Sequence, residues 1–203
     1  MTVLLEANQN QVASKQYPDV GYLHNYAELL DWLGKTKSQL AFRNDNKADA
    51  LTAIQKLMEY SDREFFLYDQ SLEGDVAFQN ADRTFRRSSL EFISRGGHIK
   101  LVIKSKFNEN AVLSNELRVL RAVFPNNFEI KKASEAFNSA VDKFVGEKAN
   151  FAIGDNNKYR IETNTGLVSN EAYSCFNDKE KVKKIKKEVI AHYSSCHDYF
   201  DKT

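Results

Sequence analysis

KANFAIGDNNKYRIETN, residues 148–164, decides the fold prediction. Small or apolar residues alternate with polar ones up to Ile153, and the alternation resumes from Tyr159 to Glu162. Between these runs stands Gly-Asp-Asn-Asn, residues 154–157, whose residue types tolerate the left-handed backbone of a tight turn. The stretch therefore predicts a β-hairpin with its turn at residues 154–157.

Helical and strand patterns alternate along the rest of the chain. Predicted helices cover 22–34, 45–58, 78–95, 114–124 and 178–195, and predicted strands cover 38–44, 64–69, 98–105, 128–131 and 167–176, whereas 133–142 shows no clear pattern. The inner strands are short hydrophobic runs, which is typical of strands buried on both faces. The alternation predicts βαβ units and an α/β fold with a mixed, mostly parallel sheet flanked by helices on both faces.

Length and composition indicate a soluble protein with one main domain. The 203 residues carry a net charge of +1, so no global polycation indicates nucleic acid. Residues 1–38 are interpreted as an irregular N-terminal arm and a helix, and 39–203 as the α/β domain. Two cysteines without a signal peptide favour the cytoplasm, and no apolar run approaches the ~20 residues of a membrane span.

Three segments carry a resemblance to a known superfamily. They are LMEYSDREFFLYDQSL (57–72), FRRSSLEFISRGGHIKLVIKS (85–105) and the hairpin of 148–164. Together with the final helix, their order over residues 40–196 resembles one half of the phospholipase D superfamily. The resemblance implies a phospholipase D-like domain whose hairpin holds a His-x-Lys-x4-Asp signature. It also implies a homodimer, because single copies resemble half-sites that pair two-fold.

The signature itself is absent from the hairpin. If Asp155 takes the place of the aspartate, Lys148 stands where the family has its nucleophilic histidine and Asn150 where it has its phosphate-holding lysine. An ammonium has no free lone pair and an amide is not a cation, so neither residue replaces its counterpart. An alternative register gives Asn150 the histidine's place, with no better nucleophile. We therefore expect a pseudoenzyme and predict no catalytic residue.

Polar residues that follow the strands predict a ligand crevice, because ligands of open α/β sheets bind outside the carboxyl ends of the strands. Lys104 and Arg160 would hold an anion, with Asp69 or Glu162 as counter-charges. The alternative is a buried polar network that fixes strand register. The full predicted set is Asp69, Ser71, Lys104, Lys148, Asn150, Arg160, Glu162 and Asn164.

The run KEKVKKIKKE, residues 179–188, has a second interpretation. Val182, Ile185 and Val189 recur at helical spacing and predict one buried stripe, which leaves the lysines on a solvated face. In the alternative, Lys183, Lys184, Lys186 and Lys187 contact nucleic acid. The histidines and cysteines do not form a zinc-ligand pattern, so we predict neither a metal nor a cofactor.

The sequence thus favours a non-catalytic phospholipase D-like domain that acts by binding a partner protein or a phosphate-bearing ligand. Two alternatives stay open. One is a divergent nuclease or phosphodiesterase that uses other residues of the same crevice. The other is a nucleic-acid-binding module that uses the C-terminal lysine-rich helix.

Overall fold

The computed structural model describes residues 5–6, 25–44, 47–70, 84–105, 112–164 and 170–200. The helices are α1 (Tyr26–Lys35), α2 (Lys47–Glu59), α3 (Thr84–Ser94), α4 (Val112–Val123), α5 (Glu135–Phe144) and α6 (Lys179–Glu188), which a 3-10 helix (Ile190–Ser195) follows. The strands are β1 (Leu5–Glu6), β2 (Ala41–Asn44), β3 (Glu64–Asp69), β4 (His98–Ile103), β5 (Phe128–Lys132), β6 (Asn150–Gly154), β7 (Lys158–Asn164), β8 (Asn170–Cys175) and β9 (His197–Asp198).

Across the described residues, nine strands form one mixed sheet in the order β1-β2-β8-β7-β6-β3-β4-β5-β9. The predicted α/β fold with a mixed sheet is confirmed. The expectation that the sheet is mostly parallel is wrong, because only β3–β4 and β4–β5 are parallel and the six other pairs are antiparallel. Helices α3 and α4 connect the three parallel strands β3, β4 and β5, whereas the hairpin and β8 extend the sheet by antiparallel pairing.

The predicted hairpin is confirmed and lies at the centre of the sheet. β6 pairs with β7 from Asn150 opposite Glu162 to Gly154 opposite Lys158, and its other edge pairs with β3. Asp155 adopts the left-handed conformation in the turn, with φ of 51°. Phe151 of β6 stacks on Phe66 of β3 with ring centroids 5.7 Å apart. The hairpin therefore packs against β3 through backbone pairing and through this aromatic contact.

Helices cover both faces of the sheet, as predicted. The first face, with Leu67 and Ala152, packs against the apolar stripes of α1, α2, α3 and α4. The second face, with Phe66 and Phe151, packs against α5, α6 and Val189. Fully burying one such Leu or Phe side chain contributes roughly 1.5–3 kcal/mol. No helix of the described ranges is long and apolar enough to cross a bilayer.

The N-terminal part of the chain is more closely joined to the α/β domain than the sequence predicts. Strand β1 lies within the predicted irregular arm and pairs with β2, and α1 packs in the same core cluster as α2. The division at residue 38 stays a prediction.

The unassigned segment 133–142 holds α5, capped by the Ser134 hydroxyl, which accepts from the Phe137 N–H at 3.1 Å. The predicted final helix stops at Glu188, where β-branched Val189 and Ile190 disfavour its continuation. Residues 78–83 of another predicted helix lie outside the described residues.

Gly154 leaves no room for a side chain beside the end of α2. A Cβ there would stand 2.1 Å from the Ser61 hydroxyl oxygen, and its next neighbours would be 3.4 Å away. That hydroxyl donates to the Leu57 carbonyl at 2.6 Å and is buried. We expect Gly154→Ala to lower the free energy of unfolding by about 1–3 kcal/mol through overpacking.

A double-mutant cycle with Ser61→Ala separates this clash from other effects of the substitution. Removing the hydroxyl should restore most of the stability that Gly154→Ala loses, and urea denaturation of the four proteins measures the coupling. Additive effects of the two substitutions would contradict the assigned contact.

Candidate functional site

One edge of the sheet collects the predicted crevice residues. The strand directions bring the carboxyl ends of β2, β3, β4, β5 and β7 and the amino ends of β6 and β8 to the same side, which we call the crevice edge. Asp69, Lys104, Lys148, Asn150, Glu162 and Asn164 all belong to it. Ser71 and the side chain of Asn164 lie outside the described residues.

Three of these residues form a polar row across adjacent strands. Asn150 pairs with Glu162, and Asp69 is its neighbour on β3 because Tyr68 pairs with Phe151 one residue earlier. Strand alternation directs all three side chains to the face of Leu67 and Ala152. Asp69 is only 1% exposed, and the Asn150 Oδ1 accepts from the Gln70 backbone N–H at 3.0 Å. We call Asp69, Asn150 and Glu162 the polar row.

Arg160 lies on β7 two residues before Glu162, on the same face of the sheet as the polar row, and it forms a buried ion pair. It is 4% exposed and stands opposite Ala152 on one side and Ser174 on the other. Its Nη1 donates to the Glu162 Oε2 at 3.0 Å. Breaking such a pair leaves an uncompensated buried charge, which costs about 3–5 kcal/mol. Arg160 is therefore partnered by the protein itself, as the alternative of a buried polar network requires.

Two lysines at the crevice edge stand outside this buried pair. Lys148 precedes β6 in a left-handed conformation, with φ of 55°, and its side chain is exposed. Lys104 follows β4, and its backbone N–H donates to the Asp69 carbonyl at 3.0 Å. The backbone of each lysine thus lies at the crevice edge, next to a strand that carries the polar row.

Asp155 stands at the opposite edge of the sheet from Asn150. The five residue steps from Asn150 to Asp155 correspond to about 17 Å of strand. Its carboxylate accepts from the backbone N–H groups of Asp62 at 3.0 Å, Arg63 at 2.9 Å and Glu64 at 3.2 Å, and from Lys158 at 3.1 Å. Burial acts to raise the pKa of Asp155, but these four donors outweigh it and lower that pKa. The aspartate ties the turn before β3 to the hairpin.

Histidines and thiols of the described ranges lie away from the polar row. His98, at the opposite edge, contacts Glu129 at 3.0 Å between Nε2 and Oε1. His192 is in the 3-10 helix, and His197 is on the edge strand β9. Burial raises the pKa of Cys175 to about 11, so its thiol is protonated at neutral pH. No group of three metal-ligating side chains occurs in the described part of the chain.

The structure separates the four lysines of the predicted nucleic-acid set. Lys186 points back to the sheet and donates to the Glu64 Oε2 at 3.2 Å and the Asn156 Oδ1 at 3.0 Å. Lys183, Lys184 and Lys187 are exposed. We call these three residues the lysine face of α6.

Sequence reasoning missed Ser174 and Gln70 as members of the site. Ser174 is fully buried opposite Arg160, and Gln70 supplies the N–H that Asn150 accepts. Alternation within NEAYSC, residues 170–175, signals that Ser174 shares a face with Ala172. No sequence pattern signals the contact between Gln70 and Asn150, because it depends on the pairing of β3 with β6.

Comparison with known proteins gives matches in structure only. No protein-family model matches the sequence, and no curated protein matches it. The chain is similar to TrmBL2, an archaeal chromatin protein with a novel mode of DNA binding, at 13% identity and a TM-score of 0.55; the match covers 84% of this chain and 60% of TrmBL2. It is similar to NucT from Helicobacter pylori at 14% identity and a TM-score of 0.52, over 78% of this chain and 98% of NucT.

A third similar structure is Nuc from Salmonella typhimurium, a phospholipase D family member. It matches at 11% identity and a TM-score of 0.47, over 73% of this chain and 89% of Nuc. Identities this low establish the fold alone. The chain therefore shares its α/β fold with TrmBL2 and NucT.

The role of Asp155 in the fold predicts a pH-dependent loss of stability. Its lowered pKa means that the carboxylate stabilises the fold fully above the unfolded-state value of 3.8, and that this contribution is lost as the pH falls below it. Asp155→Asn keeps the turn preference but weakens charge-assisted hydrogen bonds. We expect a loss of about 2 kcal/mol at pH 7.

Urea denaturation of both proteins between pH 7 and pH 3 measures the effect. The stability difference should shrink in acid, whereas Asp142→Asn, which changes an exposed aspartate of α5, should leave stability unchanged at pH 7. A constant difference between wild type and Asp155→Asn across this range would contradict the assignment.

Proposed function

We propose that this chain is a non-catalytic phospholipase D-like domain that binds a phosphate-bearing ligand at the crevice edge. The carrying observation is the state of the two residues that align with the catalytic pair. Lys148 is an exposed turn residue outside β6, and the Asn150 amide accepts a backbone hydrogen bond. Neither offers a nucleophile to phosphorus.

The charges at the crevice edge support an anionic ligand. Lys104 and Lys148 bring two cations to the rim, while the buried guanidinium of Arg160 is balanced by Glu162. A phosphate group would lie between the two rim ammonium groups, because a lysine binds phosphate as a point charge. The carboxylate of Glu162, which is less buried than that of Asp69, would accept hydrogen bonds from hydroxyl groups on the same ligand.

Two other predicted functions are an enzyme of the same fold and an assembly with a protein partner. A divergent nuclease or phosphodiesterase would use other residues of the same edge, so it is an outcome of the turnover experiment below. The homodimer and the partner protein stay predictions from the resemblance.

Phosphodiester turnover tests the absence of catalysis. With bis-p-nitrophenyl phosphate at neutral pH, we expect the purified protein to release p-nitrophenol no faster than buffer. Lys148→Ala should not change this rate, because the rim lysine positions no reacting group. Turnover above background that disappears in Lys148→Ala would overturn the proposal.

Ligand binding is measured separately with inorganic phosphate and ribose 5-phosphate. We expect both to shift the backbone NMR signals of residues 104–105 and 148–150. The double variant Lys104→Gln/Lys148→Gln should weaken binding at least about tenfold through the loss of two charges. Lys35→Gln/Lys37→Gln, with the same change of charge at the end of α1, should bind like wild type. Signals that shift equally in both variants would contradict the site.

A further inference from the structure

The positive charge of the molecule is concentrated on α6. Residues 179–188 contain six lysines and two glutamates, a net charge of +4, in a chain whose total is +1, so all other residues together carry −3. One helix of ten residues therefore holds more positive charge than the whole chain shows.

The orientation of α6 places this charge in solvent. Val182 and Ile185 are at most 2% exposed, and Val189 after the helix is fully buried against the second face of the sheet. Lys183, Lys184 and Lys187 lie on the opposite side of the helix and are exposed. Asp178 caps the helix by accepting from the Lys181 N–H at 2.9 Å, and Lys186 fastens it to Glu64. These contacts hold α6, and with it the lysine face, in a defined position on the sheet.

Several cations elsewhere in the described ranges form ion pairs with acids. Ion pairs hold Lys35, Lys56, Arg86, Arg87, Lys100, Arg121, Lys158 and Arg160. On the lysine face only Lys187 has such a partner, Glu188 at 3.1 Å, and its side chain is 79% exposed. An exposed pair of this kind contributes about 0–1 kcal/mol and exchanges readily for another anion. The lysine face therefore presents three exposed ammonium groups, close together on one helix, to an anionic partner.

We infer that the lysine face of α6 binds the phosphate backbone of a nucleic acid. Lys183 and Lys187 are four residues apart, about 6 Å along the axis, with Lys184 beside them. A duplex presents one phosphate per about 1.7 Å of axis, so three ammonium groups reach three phosphates within this span. The exposed side chains are lysines and glutamates, which fits backbone contact without readout of bases.

The same geometry disfavours an anionic membrane as the partner. An interfacial helix inserts an apolar face into the bilayer while its lysines contact headgroups. The apolar stripe of α6 is already buried against the sheet, and no large apolar residue stands on its exposed side. Charge alone remains for recognition. This surface lies on the second face of the sheet, away from the polar row on the first, so the inference does not depend on the proposed crevice.

Fluorescence anisotropy with a labelled 20-base-pair DNA duplex tests the inference. At 20–200 mM NaCl we expect the logarithm of the association constant to fall linearly with the logarithm of salt concentration, with a slope near −3 for about three phosphate contacts. Lys183→Gln/Lys184→Gln/Lys187→Gln should weaken binding at 50 mM NaCl at least about tenfold and bring the slope close to zero.

Matched controls use the same change of charge elsewhere. Lys35→Gln/Lys37→Gln/Arg87→Gln neutralises three exposed cations over the first face and should leave affinity and slope as in wild type. Circular dichroism confirms that each variant is folded. Absence of duplex binding at 20 mM NaCl, or equal weakening in both triple variants, would overturn the inference. So would tighter lysine-dependent binding to vesicles with 30% phosphatidylserine than to the duplex.

Discussion

The hydrogen bonds of Asp155 are the constraint on which the arrangement of the site depends. One carboxylate accepts from three consecutive backbone N–H groups at residues 62–64 and from Lys158. This fixes the start of β3 against the hairpin turn, so Leu67 stands opposite Ala152. A slip of one residue would turn every side chain of the strand to the other face. Register set at one edge thereby places Asp69 beside Asn150 at the other.

That register brings three polar side chains together as the polar row at the crevice edge. The row contains two carboxylates and an amide, and the Arg160 cation on the same face is enclosed in a buried ion pair. Lys104 and Lys148 lie at the crevice edge, and the lysine face of α6 lies on the other face of the sheet. The two proposed anion sites are therefore separated by the sheet, so each can be tested without the other.

The sequence predicted the α/β fold, the hairpin and the two helical layers, because periodicity reports which side of an element is buried. The sequence pattern overestimated parallel pairing, because the alternation of side chains in a strand such as β8 (NEAYSC) does not show whether the strand pairs parallel or antiparallel. It assigned Asp155 to a signature, although only the fold reveals three N–H groups converging on that carboxylate. It also placed Lys186 in the nucleic-acid set with Lys183, Lys184 and Lys187. Its partner Glu64 lies 122 residues away in sequence, so this contact could not be predicted from the helix alone.

We propose that no residue of the crevice edge, the carboxylates of Asp69 and Glu162 included, attacks phosphorus, and trapping of a covalent intermediate tests this most directly. The protein would be incubated with bis-p-nitrophenyl phosphate, denatured in the cold at neutral pH so that both phosphoramidates and acyl phosphates survive, and measured at once as an intact chain by mass spectrometry. The account predicts the unmodified mass at every time point. A phosphoryl adduct on a residue of the crevice edge, formed as p-nitrophenol is released, would contradict it.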